Sequence, residues 1–299
     1  MARAQLTAAA GGHLAATLSA MRFGSGDPTT RLGPSTFVRA TLTPDGPGTL
    51  VLDWTSGTVA ATAYGPGGNR LLAGVPAMCG DLDPGFTFVD AHPVVMAAQH
   101  AHPFLRLGAS GSLYHDLLPV VLGQRITAGE AVRQWARLVH RLGEPAPGPV
   151  AGLLLPPSPA RLAAVPTWWF HPLGIEGKRA QTLRQIARHG NTVMRWADHA
   201  PAVAGALLRL IPGVGAWTVG SVLAVSFGDP DAIAVGDCHL KNQVVHALTG
   251  RARGTDDEML QLLAPYAGQR GRVVALLSAA GHRPPAFGPR QRVLPMSRW

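Results

Sequence analysis

The aspartate Asp237 is the residue whose type and position most directly suggest chemistry. It lies before a segment whose apolar residues share one helical face, namely Leu240, Val244, Val245 and Leu248. An aspartate in this position commonly serves only as an N-cap, which contributes about 1 kcal/mol. A helix N-terminus also keeps a carboxylate ionised and can direct it into a cleft. Both roles are open at this point.

A glycine-rich corner about twenty residues earlier could hold an anion. An apolar helical segment runs into Ile211-Pro212-Gly213-Val214-Gly215, and a second helix is predicted to start at once. The N–H groups of Gly213, Val214 and Gly215 then lie free at a helix N-terminus, where the dipole and the free donors favour a phosphate. An ordinary tight corner between helices has the same glycines, so this motif alone does not decide.

Strands and helices must position these residues. Alternating segments between turn residues predict a small antiparallel sheet from Phe37–Leu42, Thr49–Trp54 and Thr58–Tyr64. After Asp90 the spacing becomes helical, with segments near 92–101, 113–123, 127–142, 178–189, 201–210, 216–227, 238–248, 255–265 and 271–280. Two of these begin with predicted capping boxes, Thr127 with Glu130 and Thr255 with Glu258.

The predicted fold class is α+β, mainly helical with a small N-terminal antiparallel sheet. We expect an N-terminal domain over 1–90, a helical core over 91–285 and a basic tail over 286–299. The Pro- and Gly-rich run 143–157 is predicted to be an ordered connection between helices.

Composition favours a folded protein with a polyanionic partner. Hydrophobic residues make up 46% of the 299 residues and charged residues only 14%, which excludes a disordered chain. The formal charge is +9, a balance typical of proteins that bind nucleic acids. Nearly all the basic residues are arginines, a bias that genome base composition also produces, so charge alone is weak evidence.

Several other kinds of site are disfavoured. Cys79 and Cys238 are too few for a cysteine-rich zinc site, a four-cysteine iron–sulfur cluster or a disulfide scaffold. Five histidines lack a metal-binding motif: His13, His92, His100, His102 and His115. No apolar run of signal-peptide or membrane-spanning length is present, so a soluble cytoplasmic protein that contacts no membrane is expected.

The corner and the aspartate together resemble a known family. Leu208 to Thr218, followed by Val235-Gly236-Asp237 and a helix, resembles the helix-hairpin-helix (HhH-GPD) DNA glycosylases, and within them the 3-methyladenine DNA glycosylase II, or alkylpurine, branch. Three further stretches extend the similarity over about residues 90–285. Leu122–Thr127 resembles the Leu-Gly-Gln loop, 159–187 resembles the Pro-x-x-Leu to Lys-Ala segment through Leu162, Gly174 and Lys178-Arg179-Ala180, and 265–277 resembles a C-terminal Arg-containing helix.

The resemblance implies two helical lobes around a cleft and a hydrolase that acts on alkylated bases in double-stranded DNA during base-excision repair. Breaking an N-glycosidic bond builds positive charge on the sugar, so a carboxylate near the anomeric carbon lowers the barrier. Asp237 is the catalytic residue in this hypothesis. Bifunctional members attack the sugar with a lysine just after the hairpin, where this chain has Trp217, which cannot form a Schiff base.

The resemblance also implies a pocket for a flipped base. Trp217 matches an aromatic wall on which a cationic base stacks, although packing between helices would also explain a tryptophan there. Ser221 and Cys238 stand where the family has further aromatic residues, so base preference is open.

Contacts with DNA are expected from loops and from the hairpin. Arg125 is the predicted wedge that fills the space left by the flipped base, with Gln124 beside it facing the opposite base or the backbone. The hairpin residues Gly213, Val214 and Gly215 are predicted to bind phosphate, and Arg272 matches the family's C-terminal arginine. The carbonyls of Arg209, Ile211 and Val214 match positions that hold a monovalent cation, Na⁺ or K⁺, and no other cofactor is expected.

Four functions remain as alternatives. The favoured one is a monofunctional glycosylase for alkylated purines, acting as a monomer. A damaged-DNA-binding protein without catalysis is the second, and Asp237 argues against it. A bifunctional glycosylase-lyase is the third, which Trp217 disfavours. A glycosylase for other modified bases also fits the same residues.

Overall fold

The structure is a computed structural model that describes the backbone of residues 2–6 and all of residues 14–285. His13 and the predicted basic tail, 286–299, lie outside the described residues. The N-terminal part is an antiparallel sheet with strand order β1-β5-β4-β3-β2. Its strands are β1 (Ala2–Leu6), β2 (Thr30–Leu32), β3 (Thr36–Thr43), β4 (Gly46–Asp53) and β5 (Val59–Tyr64).

Both faces of the sheet are covered. Alternation along β5 buries Val59, Ala61 and Ala63 in a cluster with the short helices α1 (Leu14–Ser19), α2 (Gly68–Ala73) and α3 (Val75–Cys79). On the other face Ala40 packs against Leu153 and Leu155 of the connection 143–157. The prediction that this connection is ordered is confirmed, since Pro145 and Leu154 also form a β-bridge.

Helices form the rest of the described chain. The α-helices are α4 (Pro93–Ala101), α5 (Leu113–Leu122), α6 (Ala128–Leu142), α7 (Pro159–Ala164), α8 (Gly177–Arg188), α9 (Gly190–Trp196), α10 (Pro201–Leu208), α11 (Ala216–Ser226), α12 (Leu240–Thr249), α13 (Asp256–Leu263) and α14 (Arg270–Ala279). Two 3₁₀ helices, Thr167–Leu173 and Ala264–Tyr266, complete the set. All the predicted helical segments are confirmed, with ends within two residues of those expected.

The elements missed from the sequence are short. Helices α1, α2, α3, α7 and α9 have five to seven residues, too few to show a clear period. Helix α2 begins inside Gly65-Pro66-Gly67-Gly68, which was interpreted as turn chemistry alone.

Only one of the two predicted capping boxes is complete. Thr255 and Glu258 bond reciprocally, as predicted. Thr127 accepts the Glu130 N–H, but the Glu130 carboxylate bonds to Arg133 and Gln134 instead of returning to the cap. The predicted box at α6 is therefore wrong in its second half, because Glu130 is buried against side chains of its own helix.

Two hydrophobic clusters meet near the candidate aspartate. A central cluster includes α5, α6, α8 and one face of α11, among them Val219, Val222 and Leu223. Another contains α4, α12, α13 and α14, with Val244 and Leu248 from α12. Helices α11 and α12 thus belong to different clusters, and the loop between them packs Ala232 against the first and Ile233 against the second.

Candidate functional site

The Asp237 carboxylate caps the helix that follows it. Its Oδ1 accepts the N–H groups of His239, at 2.7 Å, and Leu240, at 2.9 Å. Helix α12 begins at Leu240, and His239 is its N-cap residue. Asp237 therefore lies two residues before the N-cap. The capping role predicted from the sequence is present, and it uses only one of the two carboxylate oxygens for the backbone.

The second carboxylate oxygen faces Trp217. Trp217 Nε1 donates to Asp237 Oδ2 at 3.0 Å. Partial burial raises the pKa of the Asp237 carboxyl, but the bonds from Leu240, Trp217 and His239 outweigh it and hold the pKa below the ordinary value of 3.8. Asp237 therefore stays negatively charged at neutral pH, with an indole at its side.

The two glycines of the hairpin between α10 and α11 differ in backbone conformation and in the space around them. Gly213 has a φ of +90°, and a Cβ built there would lie 2.0 Å from Thr182 Oγ1. Gly215 is extended, with a φ of −103°, and a Cβ there would meet open space. Among the described residues none accepts a hydrogen bond from the N–H groups of Gly213, Gly215 or Ala216. Of the three predicted phosphate donors, Gly213 and Gly215 are thus free within the described chain, whereas the Val214 N–H donates to the Ile211 carbonyl at 3.0 Å and is not available.

The loop after α5 is fastened to this hairpin. Gln124 Nε2 donates to the Gly213 carbonyl at 3.0 Å and to Thr218 Oγ1 at 2.9 Å. A Cβ on Gly123 would lie 3.4 Å from Cη2 of Trp217, so the loop backbone closes over the indole ring. With both amide hydrogens engaged inside the protein, Gln124 has a structural bond that the sequence did not indicate.

Arg125 stands at the exposed tip of the same loop. It adopts a left-handed conformation, with a φ of +59°, and its side chain forms no hydrogen bond or ion pair with the rest of the described chain. A left-handed conformation is unfavourable for a residue other than glycine, and where it occurs it often serves function. The loop therefore presents a cation at its exposed tip, two residues after Gly123, which packs on Trp217.

A buried network that sequence reasoning missed supports this loop. Arg179 Nη1 donates to the Leu122 carbonyl at 2.7 Å and to Gln134 Oε1 at 2.8 Å. Gln134 Nε2 in turn donates to Glu130 Oε1 at 3.2 Å. Arg179 is only 4% exposed, and it holds the carboxyl end of α5, from which the loop emerges.

The other two candidate pocket residues lie close to Trp217 and Asp237 in the chain. Ser221 Oγ donates to the Trp217 carbonyl at 2.7 Å, one turn back along α11. Cys238 follows Asp237 directly and is exposed as a free thiol. A role of Ser221 or Cys238 in binding a base stays a prediction.

The predicted DNA contact by Arg272 is wrong. Arg272 is 3% exposed, and its guanidinium donates to Asp83 at 2.5 and 3.0 Å and to Gln269 at 2.7 Å. Burial raises the pKa of Asp83, but hydrogen bonds from Arg272 and from the Leu107 N–H lower it by more. Because the guanidinium is engaged in this buried pair, Arg272 has no face left for a phosphate.

The carbonyls proposed for a cation have unused acceptor capacity. The Ile211 carbonyl accepts one hydrogen bond, from the Val214 N–H at 3.0 Å, whereas no described residue donates to the carbonyls of Arg209 or Val214. Within residues 14–285 no group of three or more His, Cys, Asp or Glu side chains could hold a metal. The described helices include none that is long and apolar enough to cross a membrane.

Comparison with solved structures places this geometry in a known fold. No protein-family model matches the chain, and no curated protein matches its sequence. The chain is similar to 3-methyladenine DNA-glycosylase from Archaeoglobus fulgidus, with a TM-score of 0.75 and 16% identity over 94% of this chain and 98% of that one. The chain has the fold of a helix-hairpin-helix DNA glycosylase.

Two further structures with this glycosylase fold carry DNA. One is MBOgg1 in complex with a low-affinity DNA ligand, with a TM-score of 0.65 and 16% identity over 87% of this chain and 90% of that one. The other is Clostridium acetobutylicum 8-oxoguanine glycosylase/lyase with double-stranded DNA, with a TM-score of 0.62 and 12% identity over 86% and 88% of the two chains. At such identities the likeness establishes the helix-hairpin-helix glycosylase fold.

Proposed function

We propose that this protein is a monofunctional DNA glycosylase that hydrolyses the bond between an alkylated purine and its deoxyribose in double-stranded DNA. One observation carries the proposal: the ionised Asp237 carboxylate lies against Trp217, next to a hairpin with free N–H groups. The glycosylase fold supports the same conclusion. This activity would serve base-excision repair.

The carboxylate suits the charge that the reaction develops. As the N-glycosidic bond breaks, its electron pair leaves with the base and the sugar becomes cationic. Water then forms a bond to the anomeric carbon and releases a proton to solvent. Asp237 stabilises the cation electrostatically, because it is held ionised and fixed in place before the reaction.

The low pKa of Asp237 favours a substrate that needs no protonation. An alkylated purine such as 3-methyladenine already carries positive charge, so it departs as a neutral base without a general acid. The pKa values of the Cys79 thiol and the Tyr114 hydroxyl are raised, but both groups are buried in hydrophobic clusters and are therefore not available as general acids. The indole ring beside Asp237 could stack on a cationic base. The same chemistry would serve 7-methylguanine, which leaves the choice of alkylated base to experiment.

Surfaces on both sides of Asp237 suit a DNA backbone. The hairpin N–H groups offer one phosphate site. Next to Cys238 opens a groove of about 810 Å³ whose lining includes Lys241, Arg253 and Arg283. With the formal charge of +9, these features supply the charge-dependent part of binding. A monovalent cation on the carbonyls of Arg209, Ile211 and Val214 would add positive charge near the same phosphate.

Lyase chemistry is the main competitor, because one similar structure is a glycosylase/lyase. It requires an amine that attacks the sugar. The lysines of this chain are Lys178 and Lys241. Lys241 Nζ lies 3.0 Å from Asp256 Oδ2, and Lys178 lies on α8 across a groove from Pro212 and Gly213. Neither takes the place of the indole beside Asp237.

One assay separates the alternatives. Duplex DNA methylated at purines is incubated with the protein, and both free base and strand nicks before alkali are measured. Release of 3-methyladenine or 7-methylguanine without nicks supports the proposal. Release with nicks indicates a lyase, binding without release indicates a damaged-DNA-binding protein, and release from only oxidised or deaminated duplexes indicates another base specificity.

A further inference from the structure

The residue before the candidate catalytic aspartate is held from another helix. Asp256, at the start of α13, accepts the Gly236 N–H through Oδ1 at 2.9 Å. Its Oδ2 lies 3.0 Å from Lys241 Nζ in the first turn of α12. Gly236 has a φ of +94°, so the turn that delivers Asp237 uses a backbone conformation that side chains disfavour. One carboxylate thus ties this turn to both helices.

The residue after Asp237 is held in the same way. Asn242 Nδ2 donates to the Cys238 carbonyl at 3.0 Å. Its Oδ1 accepts the Gly254 N–H at 3.1 Å, two residues before Asp256. The segment 236–238 is therefore held by Asp256 of α13 on one side and by Asn242 of α12 on the other.

We infer that Asp256 is a positioning residue that fixes the backbone of Asp237 for catalysis, with Asn242 as its second anchor. This inference rests on the proposed glycosylase function. Asp256 acts through the Gly236 N–H, and within the described residues no hydrogen bond joins it to Asp237 or Trp217. A simpler interpretation is that Asp256, as an acidic residue in the first turn of α13, only interacts favourably with the helix dipole.

The physical reason lies in the precision that the reaction needs. The Asp237 bonds to His239 and Leu240 orient the carboxylate relative to α12, but they do not fix the left-handed turn from which it emerges. Within the turn the Asp237 N–H donates to the Ala234 carbonyl at 3.1 Å, and Asp256 adds the bond that ties the turn to α13. A displacement of about 1 Å in a reacting group can lower a rate on the order of a hundredfold.

The test compares Asp256→Ala with Asp257→Ala, a matched control that removes the neighbouring exposed carboxylate from the same helical turn. Under single-turnover conditions with methylated duplex, Asp256→Ala should lower the rate of base release by about ten- to a hundredfold. Its Kd for lesion DNA should stay within about twofold, because the hairpin and Trp217 are unchanged. Asp257→Ala should leave both unchanged.

A conservative variant identifies which Asp256 contact matters. Asp256→Asn keeps an acceptor for the Gly236 N–H, loses the charge that pairs with Lys241, and should recover most of the rate. In the Asp237→Asn background, Asp256→Ala should have no further effect, because a positioning residue acts only through the group that it positions. A full additional loss in that background would overturn the inference.

Hydrogen exchange gives a readout that does not depend on activity. The amides of His239 and Leu240 should exchange about tenfold faster in Asp256→Ala than in Asp257→Ala, because the turn that carries their acceptor is released. Native exchange at these amides, or a native rate of base release in Asp256→Ala, would overturn the inference. Absence of base release by the native protein on every alkylated duplex would instead overturn the proposed function, and exchange would still decide whether Asp256 holds the turn.

Discussion

Trp217 offers two things to the site, a ring face and an N–H group. The N–H donates to Asp237 Oδ2, and the ring lies beneath Gly123. Trp217→Phe should keep the ring and lose the bond, which lowers the rate of base release by up to about tenfold, the equivalent of one charge-assisted hydrogen bond. Binding to lesion DNA should change little. Trp168→Phe, at an exposed tryptophan, is the control.

The same variant should change the pH dependence. Base release needs Asp237 ionised, so the rate falls as pH drops through the pKa of its carboxyl, which lies below 3.8 in the native protein. Removing the Trp217 donor raises that pKa, and the acid limb of the pH–rate profile should move upward. A limb at the native position together with strongly weakened lesion binding would indicate that Trp217 acts through stacking alone.

Single residues were predicted from the sequence with mixed success. The helix after Asp237 and the corner at Gly213 and Gly215 between two helices were predictable, because each motif is local and its backbone geometry follows from glycine and helix capping. Arg272 was wrong, since nothing local indicates that Asp83, 189 positions away, supplies its partner. Arg179 and Asp256 were missed for the same reason.

The hairpin glycines should respond differently to substitution. Gly213→Ala places a Cβ against Thr182 in a left-handed backbone and should destabilise the fold by more than about 1 kcal/mol. Gly215→Ala meets open space in an extended backbone and should alter stability little. Urea unfolding measures both. Equal stability of the two variants would contradict the described hairpin.

Gly215→Leu then becomes a selective probe of the phosphate site. The side chain should block close approach of a phosphate without disturbing the fold, so lesion-containing and lesion-free duplexes should bind less tightly to a similar degree, with a smaller salt dependence. Gly26→Leu, at another exposed glycine with open space around it, is the control. An unchanged salt slope would exclude the hairpin as the phosphate site.

Arg125, unlike the hairpin, should affect the binding of lesion-containing and lesion-free duplexes unequally. A wedge contributes only after a base has left the stack, so Arg125→Ala should weaken binding to lesion-containing duplex more than binding to lesion-free duplex. Arg188→Ala, an exposed arginine on α8, should not discriminate between the two. Equal losses on both duplexes for Arg125→Ala would make Arg125 a phosphate contact.

Elements with a clear period were predictable, and connections between them were not. Helices α6 and α8 could be placed because ten or more residues repeat an apolar face. The bond from Gln124 to the hairpin and the incomplete box at Glu130 depend on which helices become neighbours. That information lies in tertiary packing and not in local spacing.

At the scale of the whole molecule, the buried side chain of His115 connects the sheet to the helices. His115 is 2% exposed, and its ring nitrogens lie 3.1 Å from the hydroxyls of Thr29 and Thr41. Burial, and then the nearby Arg39, hold the pKa of His115 well below its ordinary value of 6.5. The folded protein therefore keeps this imidazole neutral while the unfolded chain binds a proton below about pH 6.5.

Stability should accordingly fall as pH drops below 6.5. The contribution of one such group is about 1.4 kcal/mol per pH unit, present in full above pH 6.5 and lost progressively below it. His115→Gln should flatten the dependence of the unfolding free energy between about pH 6 and pH 5. The same substitution at exposed His140 is the control, and an unaltered slope in His115→Gln would contradict the buried neutral imidazole.

The central claim is that Asp237 is a catalytic carboxylate and not only a helix cap. Asparagine caps nearly as well as aspartate, so Asp237→Asn should keep the bonds to His239 and Leu240, lose the one from Trp217, and remain folded. Single-turnover release of alkylated base is the decisive measurement. We predict a decrease on the order of 10²- to 10³-fold with lesion binding retained, whereas release at near the native rate by the folded variant would contradict the mechanism.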